Sequence, residues 1–209
     1  FVRNSLAASV AAAYPFMINA ALAQSSVAAV SLDGSAIELE QAAVTGLAKR
    51  LEGALLMQGD MQYDQSRRVW NGMWDKHPAL IARCANSDDV RHAVNFAAER
   101  NLLTSVRGGG HSWPGKSVCD GGMMIDLADM NSVTVNPTTR RAFAQGGALL
   151  GGLDAASLQY GLVTTAGVVS HTGVGGFTLG GGYGRLNRKY GLAIDNLVSA
   201  EIVTADGQI

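Results

Sequence analysis

Two glycine-rich runs hold the residues best suited to chemistry. The first is Val106-Arg107-Gly108-Gly109-Gly110-His111-Ser112-Trp113-Pro114-Gly115, and the second is Gly173-Val174-Gly175-Gly176-Phe177-Thr178-Leu179-Gly180-Gly181-Gly182-Tyr183-Gly184. Three consecutive glycines remove Cβ atoms from a loop and permit positive φ, so backbone N–H groups can close on a diphosphate. Arg107 and His111 bracket that bare segment with a fixed cation and a titratable nucleophile. Such a loop suits a phosphate-bearing cofactor.

The elements around the first run place it. Leu80 to Cys84 is a short apolar run that reads as a strand. Ser87 is expected to cap a helix whose first turn carries Asp88 and Asp89, the sign its dipole favours. Val90, Ala93, Val94, Ala97 and Ala98 form one apolar stripe, Asn101 can close the helix, and Leu102 to Val106 reads as the next strand. This β-α-β unit delivers Gly108 to Gly110 at a strand's C-terminal end, where α/β sheets bind ligands. Met123 to Leu127 is a third strand. Val133 to Val135 and Arg141 to Gln145 flank the turn Asn136-Pro137-Thr138-Thr139 and suggest a change to antiparallel pairing. Leu149, Leu150, Leu153, Ala156 and Tyr160 space as a helix that Gly161 can end, and Glu201 to Thr204 reads as a last strand.

The chain has 209 residues, 47% of them hydrophobic, enough for a sizeable core. Its net charge of −1 and scattered Lys and Arg offer no basic field, which sets nucleic acid aside as a partner. Residues 1–23 carry Arg3, an Ala-rich apolar stretch and Ala21-Leu22-Ala23 before Gln24, the pattern of a cleaved signal peptide, so export to the periplasm or medium is expected. Phe1-Val2-Arg3 resembles the tail of a twin-arginine signal. The stretch is too short and weakly apolar for stable membrane insertion. Residues 24–60 read as a linker leading into an N-terminal helix or strand. Both ends look cut, so a fragment of a longer protein is expected.

Motif tests narrow the cofactor. G-x-G-x-x-G fails, because Trp113, Thr178 and Arg185 stand where its last glycine would fall after Gly108, Gly173 or Gly180. Pro114-Gly115 prevents a helix from opening directly after Gly110, and no G-x-x-x-x-G-K-[ST] occurs. Taken in order, Arg107 to Ser112, Gly121-Gly122-Met123-Met124-Ile125-Asp126-Leu127, Gln145-Gly146-Gly147, the run Gly173 to Gly184, Arg188-Lys189-Tyr190-Gly191-Leu192 and Asp195-Asn196 carry a resemblance. The chain resembles the FAD-linked oxidases of the vanillyl-alcohol-oxidase type, in their berberine-bridge-enzyme-like branch, over roughly Gly53 to Ile209.

The resemblance implies an α+β fold over residues 61–209. This would be a PCMH-type FAD-binding domain, with a small parallel β-α-β subdomain, a second, antiparallel α+β subdomain and FAD between them. A C-terminal substrate domain would lie outside this chain. It implies FAD bonded covalently through His111, with Arg107, Gly108, Gly109, Gly110, Ser112, Gly167, Thr172, Gly173, Gly175, Gly176 and Tyr183 around it. Many members carry a cysteine for a second link where this chain has Val169, so a single link is expected. His171 reads as a loop residue near the cofactor or facing water.

Export would permit a disulfide between Cys84 and Cys119, the only cysteines, but sequence gives no Cα separation and the pairing stays open. No ligand spacing suggests a metal. Tyr63, Trp70 and Trp74 are expected to pack over the flavin subdomain rather than bind anything. The reading is thus an oxidase that takes a hydride from an alcohol, sugar or amine carbon, with O₂ as acceptor. A flavin-carrying or electron-transfer protein without turnover is the alternative. No pair of titratable residues within the chain is placed to remove a substrate proton, and residues 1–209 alone are expected to show no turnover.

Overall fold

The computed structural model describes residues 26–209. The expected signal segment lies outside them. Strands β1 (Ser26–Val30) and β2 (Ala36–Glu40) pair antiparallel, and helix α1 (Gln41–Ala48) follows at once. The stretch expected as a linker leading into a helix or strand holds a strand hairpin and then a helix. Its alternation is written mostly in small residues, which hides it, yet Ala29, Leu39, Val44 and Leu47 are all buried in the main core. Val30 donates its N–H to Gly121 O at 2.8 Å and accepts from Leu103 N at 2.9 Å, stitching the hairpin to the chain beyond.

Next come β3 (Ala54–Leu56), the short helix α2 (Tyr63–Ser66), β4 (Leu80–Arg83), α3 (Ser87–Glu99), β5 (Thr104–Arg107) and β6 (Met123–Asp126). The four strands form one sheet in the order β3-β4-β6-β5; β3 is antiparallel to β4, and β4 and β5 both run parallel to β6. The expected β-α-β unit is present, but β6 lies between its two strands. Side chains alternate across the sheet. Leu80, Ala82, Met123 and Ile125 face a core shared with α1 and α3, while Ile81 and Met124 face a second core with Leu56, Tyr63 and Val118.

Helix α3 differs from its expected form at its start and along its stripe. Asn86, not Ser87, is the N-cap, its side chain accepting from Asp89 N at 2.9 Å. Ser87 Oγ instead donates to Glu201 at 2.8 Å. Phe96 is buried where the expected stripe had placed Ala98, which is exposed, because the helix turns its 89/93/96/97 face inward. Asn101 closes it with φ 48°, and Leu102 N reaches back to Ala97 O at 2.9 Å.

Asp89, only 1% exposed, accepts from Glu52 N, Gly53 N and Ala85 N, each at 2.9 Å, and so ties β3 to the start of α3. Three donors would be stranded by Asp89→Ala, so the variant is expected to lose about 3 kcal/mol of stability, read from urea unfolding. Asp89→Asn, which still accepts, should lose less.

The antiparallel part is a hairpin, β7 (Val133–Asn136) with β8 (Arg141–Ala144), closed by Asn136 accepting from Thr139 N and by Arg140 at φ 53°. Helix α4 (Leu150–Leu158) packs on it and ends at Gly161, φ 65°. The short helices α5 (Val174–Leu179) and α6 (Asn187–Tyr190) and a 3₁₀ turn at Ile194–Asn196 follow. The fold is α+β, as expected. The strand expected at Glu201 to Thr204 does not form. No neighbouring strand pairs with it among the described residues, and Thr204 instead closes a turn with Gln208. Among the described residues, no helix is long and apolar enough to cross a membrane.

Candidate functional site

The site begins with register. In the sheet Arg83 and Arg107 both stand opposite Asp126, one from each flanking strand. Asp126 is 1% exposed; it accepts from Arg107 Nη1 at 2.9 Å and from Ala128 N at 3.1 Å, with Arg83 Nε at 4.0 Å. Arg107 is therefore committed to neutralising a buried carboxylate at the strand ends. It still lines the cleft described below, and its Nε is buried without a partner among the described residues.

Beyond Arg107 the two glycine runs cross with their backbones in contact. A Cβ on Gly109 would lie 2.3 Å from Gly173 N, and one on Gly173 would lie 2.4 Å from Gly109 N. Gly108 and Gly175 both approach Gly146 O, where added Cβ atoms would fall at 2.9 and 3.3 Å. Leu149 pairs with Gly173 as an isolated antiparallel bridge, and Val174 N donates to Ala148 O at 2.8 Å. Three bare backbone segments thus converge at the C-terminal ends of β5 and β6.

His111 follows the crossing. Trp70 stacks on it with ring centroids 4.9 Å apart and planes 18° apart, and His171 stands 4.8 Å away at 51°. Trp70 is tied to the same loop, its N–H donating to Gly110 O at 3.0 Å. Asn71 and Trp74 clasp the loop further on, both donating to Trp113 O, at 3.0 and 2.9 Å. His111 Nε2 is buried and has no hydrogen-bond partner among the described residues. Burial first, and the neighbouring His171 second, push the imidazole's pKa below its usual range, so the ring is neutral at physiological pH.

A cleft of about 330 Å³ opens here, lined by Trp70, Arg107, Gly108, Gly109, His111, Ala128, Asn131, Gly147, Leu149 and His171. Of the residues expected from sequence, Arg107, Gly108, Gly109 and His111 line it. Gly173 and Gly175 lie in the backbone crossing beneath. Gly110 carries the left-handed turn at φ 69°, and Ser112 Oγ accepts from Lys116 N. Gly167 faces the Phe177 ring, and Thr172 is held by its carbonyl, which accepts from Leu150 N at 2.9 Å. Gly176 borders open space, while Tyr183 is 76% exposed and outside the lining.

Sequence reasoning missed Trp70, Ala128, Asn131, Gly147 and Leu149 as lining residues. Trp70 was expected to act only as packing, which holds for Tyr63, whose hydroxyl donates to Pro78 O, and for Trp74, whose indole lies on Gly115. The signal for Trp70 is tertiary, since its partner is 41 positions away. Cys84 and Cys119 are both buried and free, so no disulfide joins them.

A family model described as an FAD binding domain matches residues 78–209. (R)-6-hydroxynicotine oxidase of Paenarthrobacter nicotinovorans is 37% identical over 159 residues, which is 76% of this chain and 35% of that protein. Berberine bridge enzyme-like 9 of Arabidopsis thaliana is 32% identical over 157 residues, 70% of this chain and 28% of that protein. The solved structure of xylooligosaccharide oxidase from Myceliophthora thermophila, in complex with xylobiose, matches with a TM-score of 0.74 at 30% identity, covering 79% of this chain and 36% of that one. The chain thus spans 28% to 36% of the length of these three.

Proposed function

The chain belongs to the FAD-linked oxidoreductases of the berberine-bridge-enzyme-like branch, and we propose that it is the flavin-binding part of an oxidase whose FAD is bonded to His111. The observation that carries this reading is the buried Nε2 of His111, unpartnered among the described residues, beside a cleft floored by glycine backbone. The residues fit the cofactor. Gly108, Gly109 and Gly147 line the cleft with main chain alone, where a diphosphate would lie, Trp70 and Leu149 supply apolar wall for a flat ring, and Arg107 adds positive charge at the edge. These residues would hold FAD, which when bound would supply the chemistry of accepting a hydride from an alcohol, sugar or amine carbon and passing the electrons to O₂.

The chain's own tasks are to hold the flavin, exclude water from the face covered by Trp70 and keep His111 neutral as a nucleophile. A single link is proposed. Val169 replaces the thiol that would make a second one, and neither native cysteine is a substitute. Burial pushes the Cys84 thiol up to about 12 and raises that of Cys119, so neither offers a thiolate. Export is part of the proposal, and secreted protein sequenced from its N-terminus should begin at Gln24.

Acid precipitation tests the link. The pellet should stay yellow, and the peptide containing His111 should carry the mass of FAD. Colour left in the supernatant, or flavin on a peptide containing Cys84 or Cys119, overturns the assignment.

A further inference from the structure

We propose that His171 is the positioning residue of His111, supplying the hydrogen-bond partner that Nε2 lacks while Trp70 fixes the plane of the ring; this rests on the reading of His111 as the attachment point. A ring nitrogen stands on the rim of its ring, so a centroid separation of 4.8 Å lets facing nitrogens of the two imidazoles close to hydrogen-bond distance on rotation of one side chain. His171 has the freedom to rotate. Its side chain is exposed and makes no hydrogen bond among the described residues.

Its backbone has no such freedom. Ser170 O and Thr172 O, on either side, accept from Gly151 N at 2.8 Å and Leu150 N at 2.9 Å, pinning residue 171 to the start of α4. The cleft thus holds His171 at a fixed place with a mobile ring. Of the other polar side chains in the lining, Arg107 is held to Asp126 through Nη1 and Asn131 donates to Ala128 O at 3.0 Å, whereas His171 faces the His111 ring with its own nitrogens free among the described residues. Arg107, His111 and His171 are the only charged or titratable side chains of that lining, and of the other two only His171 is in ring contact with His111.

The chemistry gives this pairing a purpose. Attachment forms a C–N bond from an imidazole nitrogen to a flavin carbon. The imidazole N–H and one flavin C–H leave as protons, the C–H electron pair stays on the flavin, and O₂ removes that pair with both protons as hydrogen peroxide. The imidazole must arrive neutral with its proton on a defined nitrogen. A hydrogen bond from the neighbouring ring selects that tautomer. Trp70, tied by its N–H to Gly110 O, keeps the ring from turning away.

The test uses the full chain labelled with ¹⁵N-histidine, prepared without flavin, and follows ring-nitrogen shifts against pH. His171→Phe keeps an aromatic ring but no polar atom. The His111 Nε2 signal should move to that of an unbonded nitrogen, and the His111 titration should move up, because one of the two influences lowering it is gone. His171→Gln should restore the bonded signal. Superimposable His111 signals in wild type and His171→Phe overturn the proposal. In a second arm FAD is added and acid-stable flavin is followed in time. His171→Phe should slow attachment about tenfold, the worth of one hydrogen bond, and His171→Gln should recover most of it. Equal rates in all three chains also overturn the proposal. If wild-type chain attaches no flavin at all, the attachment reading fails, and the nitrogen shifts alone decide the role of His171.

Discussion

A Gly109→Ala chain is expected to lose its flavin and about 3 kcal/mol of stability together, the upper end of what overpacking costs. The added Cβ would lie 2.3 Å from Gly173 N and 2.4 Å from Gly173 Cα, and neither atom belongs to a side chain that could swing aside. One of the two backbones must move. Gly173 is held by the bridge to Leu149, and the chain before Gly109 is held by the Arg107 carbonyl accepting from Leu127 N at 2.9 Å. Separating the runs would lift His111 from Trp70 and widen the floor of the cleft. Urea unfolding without FAD and absorbance of retained flavin after desalting measure the two losses.

Gly176→Ala is the control for that result. No atom lies within 4 Å of its added Cβ, and the residue is inside α5, where Ala is favoured over Gly by up to about 1 kcal/mol. The flavin-free chain should be no less stable than wild type. Any flavin lost by Gly176→Ala would then report contact with the cofactor rather than with the protein. Full flavin retention and unchanged stability in Gly109→Ala would show that the crossing of the two runs is not what shapes the site.

What sequence made legible were the local patterns. Apolar runs at Leu80, Val133 and Arg141, the stop at Asn101 and the αL end at Gly161 all appear where propensity and turn chemistry put them. The hairpin of β1 and β2 was illegible because Ala28 and Ala29 carry its alternation, and small residues look alike in a strand, a linker or a helix. Which strand lies beside which was also hidden. Placing β6 between β4 and β5 depends on pairing over distance, and that pairing alone sets Arg83 and Arg107 on either side of Asp126. At the site, the glycines and His111 announced themselves by spacing. Trp70 reached the cleft through tertiary contact, with nothing around it in sequence to mark it. His171 did stand out as a loop histidine, and the structure turns that position into a neighbour of His111.

Arg107 is the residue whose role changes most between the two views. Beside three glycines it reads as a cofactor cation; in the fold it neutralises Asp126. Arg107→Met should therefore cost about 3 to 5 kcal/mol, the penalty for stranding a buried carboxylate, even in flavin-free chain. Arg83 relieves it only in part, since its Nε stays 4.0 Å from Asp126 and its Nη2 bonds Asp129. The double variant Arg107→Met with Asp126→Leu separates the roles. With both charges gone, an apolar pair of similar size should recover most of the lost stability, as buried ion pairs replaced by packed side chains commonly do. Ala128 N would still lack its acceptor, so recovery should stop short of wild type. If flavin retention returns with stability, Arg107 serves the site through the frame of β5 and β6. If the double variant folds as well as wild type yet holds no flavin, Arg107 acts on the cofactor directly, and its bond to Asp126 serves to aim it.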